Sequence, residues 1–176
     1  MTNELFRSQL ASYASVHRDW RNKATHFVGI PLIVFSIGVL LAHPSFVVDG
    51  VKLTPAWLGW AAAIAWYVTR GNFTVGATVS AATGVLILLA HSVAAGSTAS
   101  WLAWGIVTFV LGWVAQLLGH FYEGRKPAYV DDFVGLLVGP MFITAEVLFS
   151  FGLCRPLLEE IERRAGPTML RDLAHP

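Results

Sequence analysis

The sequence has few charged side chains and almost no cysteine. Lys, Arg, Asp and Glu make up 13% of its 176 residues, whereas 55% of the residues are hydrophobic. A water-soluble globule of this size would lack the polar residues to cover its surface. The formal net charge of +1 excludes a nucleic-acid-binding protein that relies on a strongly basic surface. The single cysteine, Cys154, excludes an internal disulfide and a cysteine-based zinc cluster.

Long uncharged stretches predict membrane-spanning helices. No Asp, Glu, Lys or Arg lies between Lys23 and Asp49, or between Lys52 and Arg70, and the 52 residues from 71 to 122 are also uncharged. A spanning helix needs about 20 apolar residues, so the third stretch holds two. We therefore predict one all-α membrane domain over residues 1–176, with four spans at residues 24–42, 54–69, 73–95 and 99–118.

A fifth apolar stretch, residues 133–153, is less regular. It contains Gly139 and Pro140 near its middle and Glu146 beyond them. Proline removes a backbone donor and disfavours helical geometry in the residue before it, which predicts an interruption at this point. The stretch is therefore either a kinked span or a re-entrant hairpin.

Basic residues predict the orientation in the membrane, because Lys and Arg concentrate on the cytoplasmic side. With a cytoplasmic N-terminus, the four-span arrangement places seven basic residues inside and Lys52 alone outside. The seven are Arg7, Arg18, Arg21, Lys23, Arg70, Arg125 and Lys126. The arginines after Leu153 then predict a cytoplasmic tail over residues 156–176. A cytoplasmic tail after four spans favours the re-entrant form of the fifth segment.

The two ends of the chain carry helical apolar patterns. Phe6, Leu10, Tyr13 and His17 share one face of a helix, which predicts a helix over residues 1–18 that lies on the membrane surface or folds against the bundle. A similar spacing in the tail predicts a second surface helix there. Its apolar residues are Leu157, Leu158, Ile161 and Ala165.

Three of the six histidines are predicted to meet at the cytoplasmic end of the bundle. His17 and His26 come just before or within the start of the first span, and His120 comes at the end of the fourth. The topology places His43 and His91 near the opposite face instead. His17 and His26 are nine residues apart, which puts them on opposite faces of one straight helix. A break is therefore needed between them.

The break has a candidate residue. Asp19 is a suitable N-cap for a new helix, and Asn22 and His26 then lie at i and i+4 on one face. His17 would approach from the preceding helix. Farther along the chain, His120 and Glu123 lie at i and i+3, a spacing with which helices present metal ligands.

Three histidines and a carboxylate could form an iron site of the facial-triad type, with positions left open for oxygen and substrate. The alternative is that these histidines are hydrated or hydrogen-bonded to carbonyls at the membrane interface. Glu146 lies in an apolar segment, where ionisable residues are costly and often functional. It is predicted to act as a ligand or to support a histidine, with an ion pair to Arg155 or an interfacial position as the alternatives.

Three motifs together resemble the 2-hydroxy fatty acid dioxygenase family. The first is His-Asn-His before Gly-x-Pro, the second is Gly-His with Glu and then Pro-Ala, and the third is Gly-Pro with Phe and Glu. The matching residues are His17, Asn22, His26, Gly29 and Pro31, then Gly119, His120, Glu123, Pro127 and Ala128, then Gly139, Pro140, Phe142 and Glu146. One departure is Asp19-Trp20, where many relatives carry Asn-Pro.

The resemblance implies an Fe2+-dependent membrane enzyme that shortens a 2-hydroxy fatty acid by one carbon with O2. It implies that His17, His26 and His120 bind the metal and that Asn22, Glu123 and Glu146 take part in catalysis. Its expected partners are the hydroxy acid, O2 and membrane lipids, without nucleic acid. Its location would be the inner membrane of a bacterium or the endoplasmic reticulum of a eukaryote. Two alternatives are a diiron lipid hydroxylase or desaturase, and a transporter or scaffold without enzymatic activity.

Overall fold

The computed structural model describes residues 2–126 and 134–173, which form seven helices and one β-hairpin. The elements in chain order are α1 (Thr2–Ser15), α2 (Trp20–Ala42), β1 (Phe46–Val48), β2 (Val51–Leu53), α3 (Pro55–Val68), α4 (Phe73–Ala94), α5 (Thr98–Glu123), α6 (Gly135–Ser150) and α7 (Arg155–Ala165). The motif residues Pro127 and Ala128, and also His175, lie outside the described residues.

Helices α2, α4 and α5 are long and apolar enough to cross a membrane. Many of their large apolar side chains face outward, among them Val85, Val110 and Leu117, which are more than half exposed. Such a surface is stable in lipid and costly in water. The chain is a multi-pass membrane protein whose helical bundle agrees with the predicted all-α class.

The number of crossings within the described residues is three, or four if α6 and α7 count as one bent span. The predicted span at residues 54–69 corresponds to α3, which has 14 residues. Its length of about 21 Å is shorter than the hydrocarbon core of about 30 Å. The count of four spans, with the boundaries given above, therefore stays a prediction.

The predicted interruption at Gly139 and Pro140 is wrong, because α6 runs through both residues without a break. Pro140 is the sixth residue of α6 and is buried, and a proline inside a helix removes one backbone donor at a cost of about 3 kcal/mol. The chain turns later, after Ser150, where Gly152 and Cys154 have positive φ angles of 74° and 54°. Helices α6 and α7 meet there at 119°.

Close contact between α2 and α5 depends on glycine. A Cβ atom built at Gly29 of α2 would lie 2.8 Å from the carbonyl oxygen of Gly112 in α5. Small residues let two membrane helices approach in this way, so that packing and polar contacts hold them together. This contact aligns the start of α2 with the end of α5, where His26 and His120 lie.

The N-terminal helix folds against the bundle, which is one of the two predicted arrangements. Phe6, Leu10 and Tyr13 of α1 are buried in one core cluster with residues of α6 and with Leu157 and Ile161 of α7. Packing of these apolar faces fixes the end of α1 beside the start of α2. The loop that carries His17 is thereby held between them.

The β-hairpin between α2 and α3 was not predicted. Asp49 and Gly50 form its turn, both with positive φ angles, of 49° and 79°. An Asp-Gly pair between short apolar runs is a strong hairpin signal. The Asp49-Gly50 pair is therefore a signal for this hairpin in the sequence itself.

Candidate metal centre

The predicted break between His17 and His26 is confirmed. Helix α1 ends at Ser15 and α2 begins after Asp19, whose side chain accepts a hydrogen bond from the Arg21 backbone N–H. This N-cap satisfies a donor of the first turn and allows the chain to change direction. His17 therefore lies in the short connection, and its ring faces the same point as the ring of His26.

His17, His26 and His120 form a buried cluster. One ring nitrogen of each lies within 4.8 Å of one from each of the others. The three ring centroids are separated by 4.5 Å, 4.9 Å and 5.1 Å, and the rings are inclined to one another by 71° to 82°. No relative exposure in the cluster exceeds 6%. Two helices and one connection thus bring together three imidazoles that are far apart in sequence.

Hydrogen bonds orient two of the rings. His17 Nδ1 lies 2.6 Å from the Tyr13 carbonyl oxygen, and His26 Nδ1 lies 2.9 Å from that of Asn22. A carbonyl only accepts, so each Nδ1 carries the proton and each Nε2 carries a lone pair. The two Nε2 atoms nevertheless lie 3.0 Å apart. Two facing lone pairs repel each other unless a cation lies between or beside them.

Protonation of one of the two rings does not readily supply that cation. Burial and the neighbouring His26 lower the pKa of His17 well below its ordinary value, so the ring stays neutral near pH 7. A metal ion fits better. Two nitrogens at about 2.1 Å from an ion, with a right angle between them, lie about 3.0 Å apart. This is the separation of the two Nε2 atoms.

The third histidine also has an uncommitted nitrogen. His120 Nδ1 is buried without a hydrogen-bond partner. His17 and His26 each have one ring nitrogen bonded to the main chain and one available to a ligand, and His120 has Nδ1 available. Fixing a metal-binding imidazole through its other nitrogen is the usual arrangement in metalloproteins. The residues present fit a divalent metal ion.

Glu123 lies beside the cluster but binds the backbone of the connection. Its two oxygens accept hydrogen bonds from the Arg18 N–H at 3.0 Å, the Asp19 N–H at 2.8 Å and the Asn22 amide at 3.1 Å. Two of these donors belong to the segment that joins α1 to α2, and the third belongs to the first turn of α2. The carboxylate therefore holds the segment that carries His17 against the end of α5.

Asn22 connects the carboxylate to the histidines. Its amide nitrogen donates to Glu123 and to the Val16 carbonyl, while its side-chain oxygen is buried without a partner. The close packing around it depends on Gly119, where an added Cβ would lie 2.4 Å from that oxygen and 3.0 Å from His26 Nδ1. Gly119 of the second motif is therefore required, because a larger residue would clash with Asn22 and His26 of the first motif.

The chain after α7 returns to the same connection. Met169 exchanges backbone hydrogen bonds with Arg18 and Trp20, and the Arg171 N–H donates to the Asp19 carboxylate at 2.9 Å. The Arg21 guanidinium, with those backbone donors, keeps the pKa of Asp19 at about 2. Asp19 is therefore ionised at neutral pH and ties the C-terminal segment to the start of α2.

Glu146 forms an ion pair with Lys23 at 2.8 Å, instead of contacting a histidine or Arg155. Both residues line a polar cavity of about 280 Å³ that His17 also lines. The Lys23 ammonium donates a further hydrogen bond to the Thr168 hydroxyl. The cavity therefore presents a paired cation and carboxylate next to one histidine of the cluster.

Two residues near the cluster were missed by the sequence reasoning. Tyr13 stacks on His17 with ring centroids 3.9 Å apart. Gln116 lies one helical turn before His120, and its amide nitrogen is buried without a partner. An amide four residues before a predicted ligand, in an otherwise apolar helix, is the signal that could have identified Gln116.

His43 and His91 line a separate cavity with Thr54 and Trp57. Each of these two histidines stacks on a tryptophan, and His91 also bonds the Thr54 hydroxyl at 2.9 Å. They do not contribute to the buried cluster, which agrees with their predicted placement elsewhere in the bundle.

Comparisons with known proteins identify the family of the chain. A family model described as 2-hydroxy-palmitic acid dioxygenase Mpo1-like matches residues 3–151. The 2-hydroxy-palmitic acid dioxygenase MPO1 of Saccharomyces cerevisiae is 30% identical over 162 residues, which cover 89% of this chain and 87% of the yeast protein. No solved structure matches the chain. The chain belongs to the Mpo1-like family of 2-hydroxy-palmitic acid dioxygenases.

Proposed function

We propose that this protein is an Fe2+-dependent dioxygenase that shortens 2-hydroxy fatty acids by one carbon. One observation carries the proposal: three buried imidazoles converge, with two unprotonated nitrogens 3.0 Å apart. The yeast relative is named for the same substrate class. One O2 balances the conversion of a 2-hydroxy acid into the acid one carbon shorter, CO2 and water.

His17, His26 and His120 would hold the iron, which when bound supplies the activation of O2 that the organic groups of a protein lack. The main-chain carbonyls of Tyr13 and Asn22 keep the first two rings in the required tautomer. Glu123 acts as a positioning residue, since its oxygens are occupied by donors from the connection. Asn22 offers an uncommitted oxygen beside the site, which accepts a hydrogen bond from the substrate hydroxyl.

Glu146 acts through Lys23 in this proposal. The ion pair keeps the Lys23 ammonium at the polar cavity beside His17, where it offers a countercharge to the substrate carboxylate. The cavity also gives water-soluble products a way out. With the cluster at the cytoplasmic end of the bundle, the positive-inside pattern accounts for the basic residues around it.

Metal analysis of the purified protein tests the proposal. We expect about one iron per chain in the wild type and loss of iron in His26→Ala. His43→Ala is the matched control, because His43 is exposed and lies in the other cavity; it should keep its iron. Conversion of 2-hydroxyhexadecanoic acid to pentadecanoic acid should follow the iron content.

Three results would contradict the proposal. Two irons per chain would favour a diiron hydroxylase or desaturase. A folded protein without metal, even after anaerobic addition of ferrous iron, would favour a transporter or scaffold. Full iron content in His26→Ala would remove that residue from the ligand set.

A further inference from the structure

We propose, on the basis of the function proposed above, that the acyl chain of the substrate lies in an apolar groove between α2, α3 and α6. In the same proposal, Gln116 binds the hydroxy-acid end at the mouth of this groove. The groove consists of two adjoining cavities, of about 40 Å³ and about 240 Å³. They share walls formed by Val34, Leu136 and Pro140.

The smaller cavity connects the groove to the metal centre. Tyr13 and Gln116 both line it. Tyr13 stacks on His17, and Gln116 lies four residues, about 6 Å along the helix, from His120. The groove therefore starts next to two of the three histidines.

The larger cavity leads away from the histidines. Tyr67, at one end of α3, packs in the core cluster that contains Phe142, and Phe142 in turn contacts the His17 ring. Ala56, at the other end of α3, packs in a different cluster with Val39 and Ile87. Both Tyr67 and Ala56 line the larger cavity, so the cavity extends along α3 from the side of the cluster to the opposite side.

The length of the groove suits a long acyl chain. From His26 to Leu41, which lines the larger cavity, α2 rises about 22 Å. One leaflet of a bilayer core is about 15 Å deep and accommodates a lipid acyl chain. The groove therefore accepts an acyl chain of the kind that forms a membrane leaflet, such as that of a sixteen-carbon acid.

Gln116 is the polar group at the start of this path. It is 4% exposed, and its amide nitrogen has no hydrogen-bond partner. A buried donor without an acceptor is costly, and an oxygen of the bound hydroxy acid removes that cost. A plain hydrocarbon could not do so, which makes Gln116 a specificity residue for the oxygenated end of the substrate.

A substitution that fills the far end of the groove tests the path of the acyl chain. A Cβ at Gly59 would meet no atom within 4 Å, and Gly59 lines the larger cavity. Gly59→Leu therefore adds bulk at the wall of the larger cavity without a clash at its Cβ. We expect kcat/KM for 2-hydroxyhexadecanoic acid to fall about tenfold through steric exclusion of the chain, with 2-hydroxydecanoic acid affected less than twofold. Ala62→Leu, an exposed neighbour on α3, is the matched control and should affect neither substrate.

A binding measurement tests the same path without turnover. The probe is 2-hydroxyhexadecanoic acid brominated at carbons 15 and 16, added to the iron-loaded protein under nitrogen. Bromine quenches tryptophan fluorescence at short range, and Trp60 lines the larger cavity. We expect saturable quenching that is lost in Trp60→Phe and weakened in Gly59→Leu. Equal quenching in Trp60→Phe and the wild type would overturn the proposed path.

Gln116→Leu tests the mouth of the groove. Loss of one hydrogen bond to a charged or strongly polar ligand should raise KM by about 10-fold to 100-fold, with iron content unchanged. An unchanged KM would overturn the role of Gln116. If Gly59→Leu and Ala62→Leu behave alike while the wild type remains active with bound iron, the groove fails and the proposed function stands. If the wild type lacks iron and activity, the proposed function fails, and the same quenching measured on the metal-free protein still decides whether the groove binds the acid.

Discussion

The contacts of Glu123 predict that it determines metal affinity without binding the metal. Its two oxygens receive three hydrogen bonds, two from the backbone of the connection between α1 and α2 and one from the Asn22 amide in the first turn of α2. In Glu123→Gln the shape is kept, but one oxygen becomes an amide donor. If the remaining oxygen accepts from Asp19 and Asn22, the new amide faces the Arg18 N–H, and one donor loses its acceptor.

The size of the effect follows from that loss. An unsatisfied buried donor costs about 1–3 kcal/mol, and a disturbed support for a metal-binding histidine reduces affinity by about 10-fold to 100-fold. The two ranges agree, because a tenfold change corresponds to about 1.4 kcal/mol. We therefore expect Glu123→Gln to bind Fe2+ about 10-fold to 100-fold more weakly, with a similar factor for Co2+.

Competition with a chelator of known affinity measures this change. Glu159→Gln makes the same substitution at an exposed position of α7 and should leave the affinity unchanged. Two results would refute the reasoning. Wild-type affinity in Glu123→Gln would show that the hydrogen bonds do not hold His17 in place, and complete loss of metal would assign Glu123 to the ligand set.

Three further predictions follow from the same contacts. His120→Ala should lose iron and activity together, as measured by elemental analysis beside His43→Ala; iron retained at one per chain would remove His120 from the ligands. Gly119→Ala should destabilise the protein by about 1–3 kcal/mol through overpacking, whereas Gly59→Ala, which meets open space, should stabilise it by about 0.5–1 kcal/mol. Thermal unfolding in detergent compares the two, and equal midpoints would contradict the packing argument. Removal of the residues after Gly166 should weaken Fe2+ binding in the chelator assay, because it deletes the segment that pairs with the His17 connection; unchanged binding would show that this segment is dispensable.

Much of the bundle could be predicted because membrane insertion constrains the sequence strongly. Uncharged stretches indicated α2, α4 and α5, and the nine-residue spacing of His17 and His26 required the break that Asp19 provides. These inferences use local rules, namely span length, helical periodicity and N-capping. The placement of three histidines at one end followed from the order of the helices, without any knowledge of side-chain contacts.

Other features depended on contacts that local rules do not contain. Proline at position 140 indicates a break, yet α6 continues through it, because the burial of side chains such as Met141 and Phe142 offsets the cost of about 3 kcal/mol for an interior proline. The partner of Glu146 is Lys23, which lies 123 residues away in sequence. Periodicity alone could not pair these two residues, since their meeting depends on how α6 packs against α2.

Buried polar atoms without hydrogen-bond partners explain why Asn22, Gln116 and His120 belong to one site. Within the described residues, four buried side-chain atoms lack a hydrogen-bond partner, and three of them belong to Asn22, Gln116 and His120. Each costs about 1–3 kcal/mol in the free protein, in a bundle where apolar replacements would pack without that cost. Iron on the histidines and a hydroxy acid on the two amides would satisfy all three atoms. Because such ligands bind only the folded protein, they should raise its stability in proportion to their affinity. The same atoms that weaken the empty bundle therefore make it selective for a ligand that brings both a metal ion and adjacent oxygens.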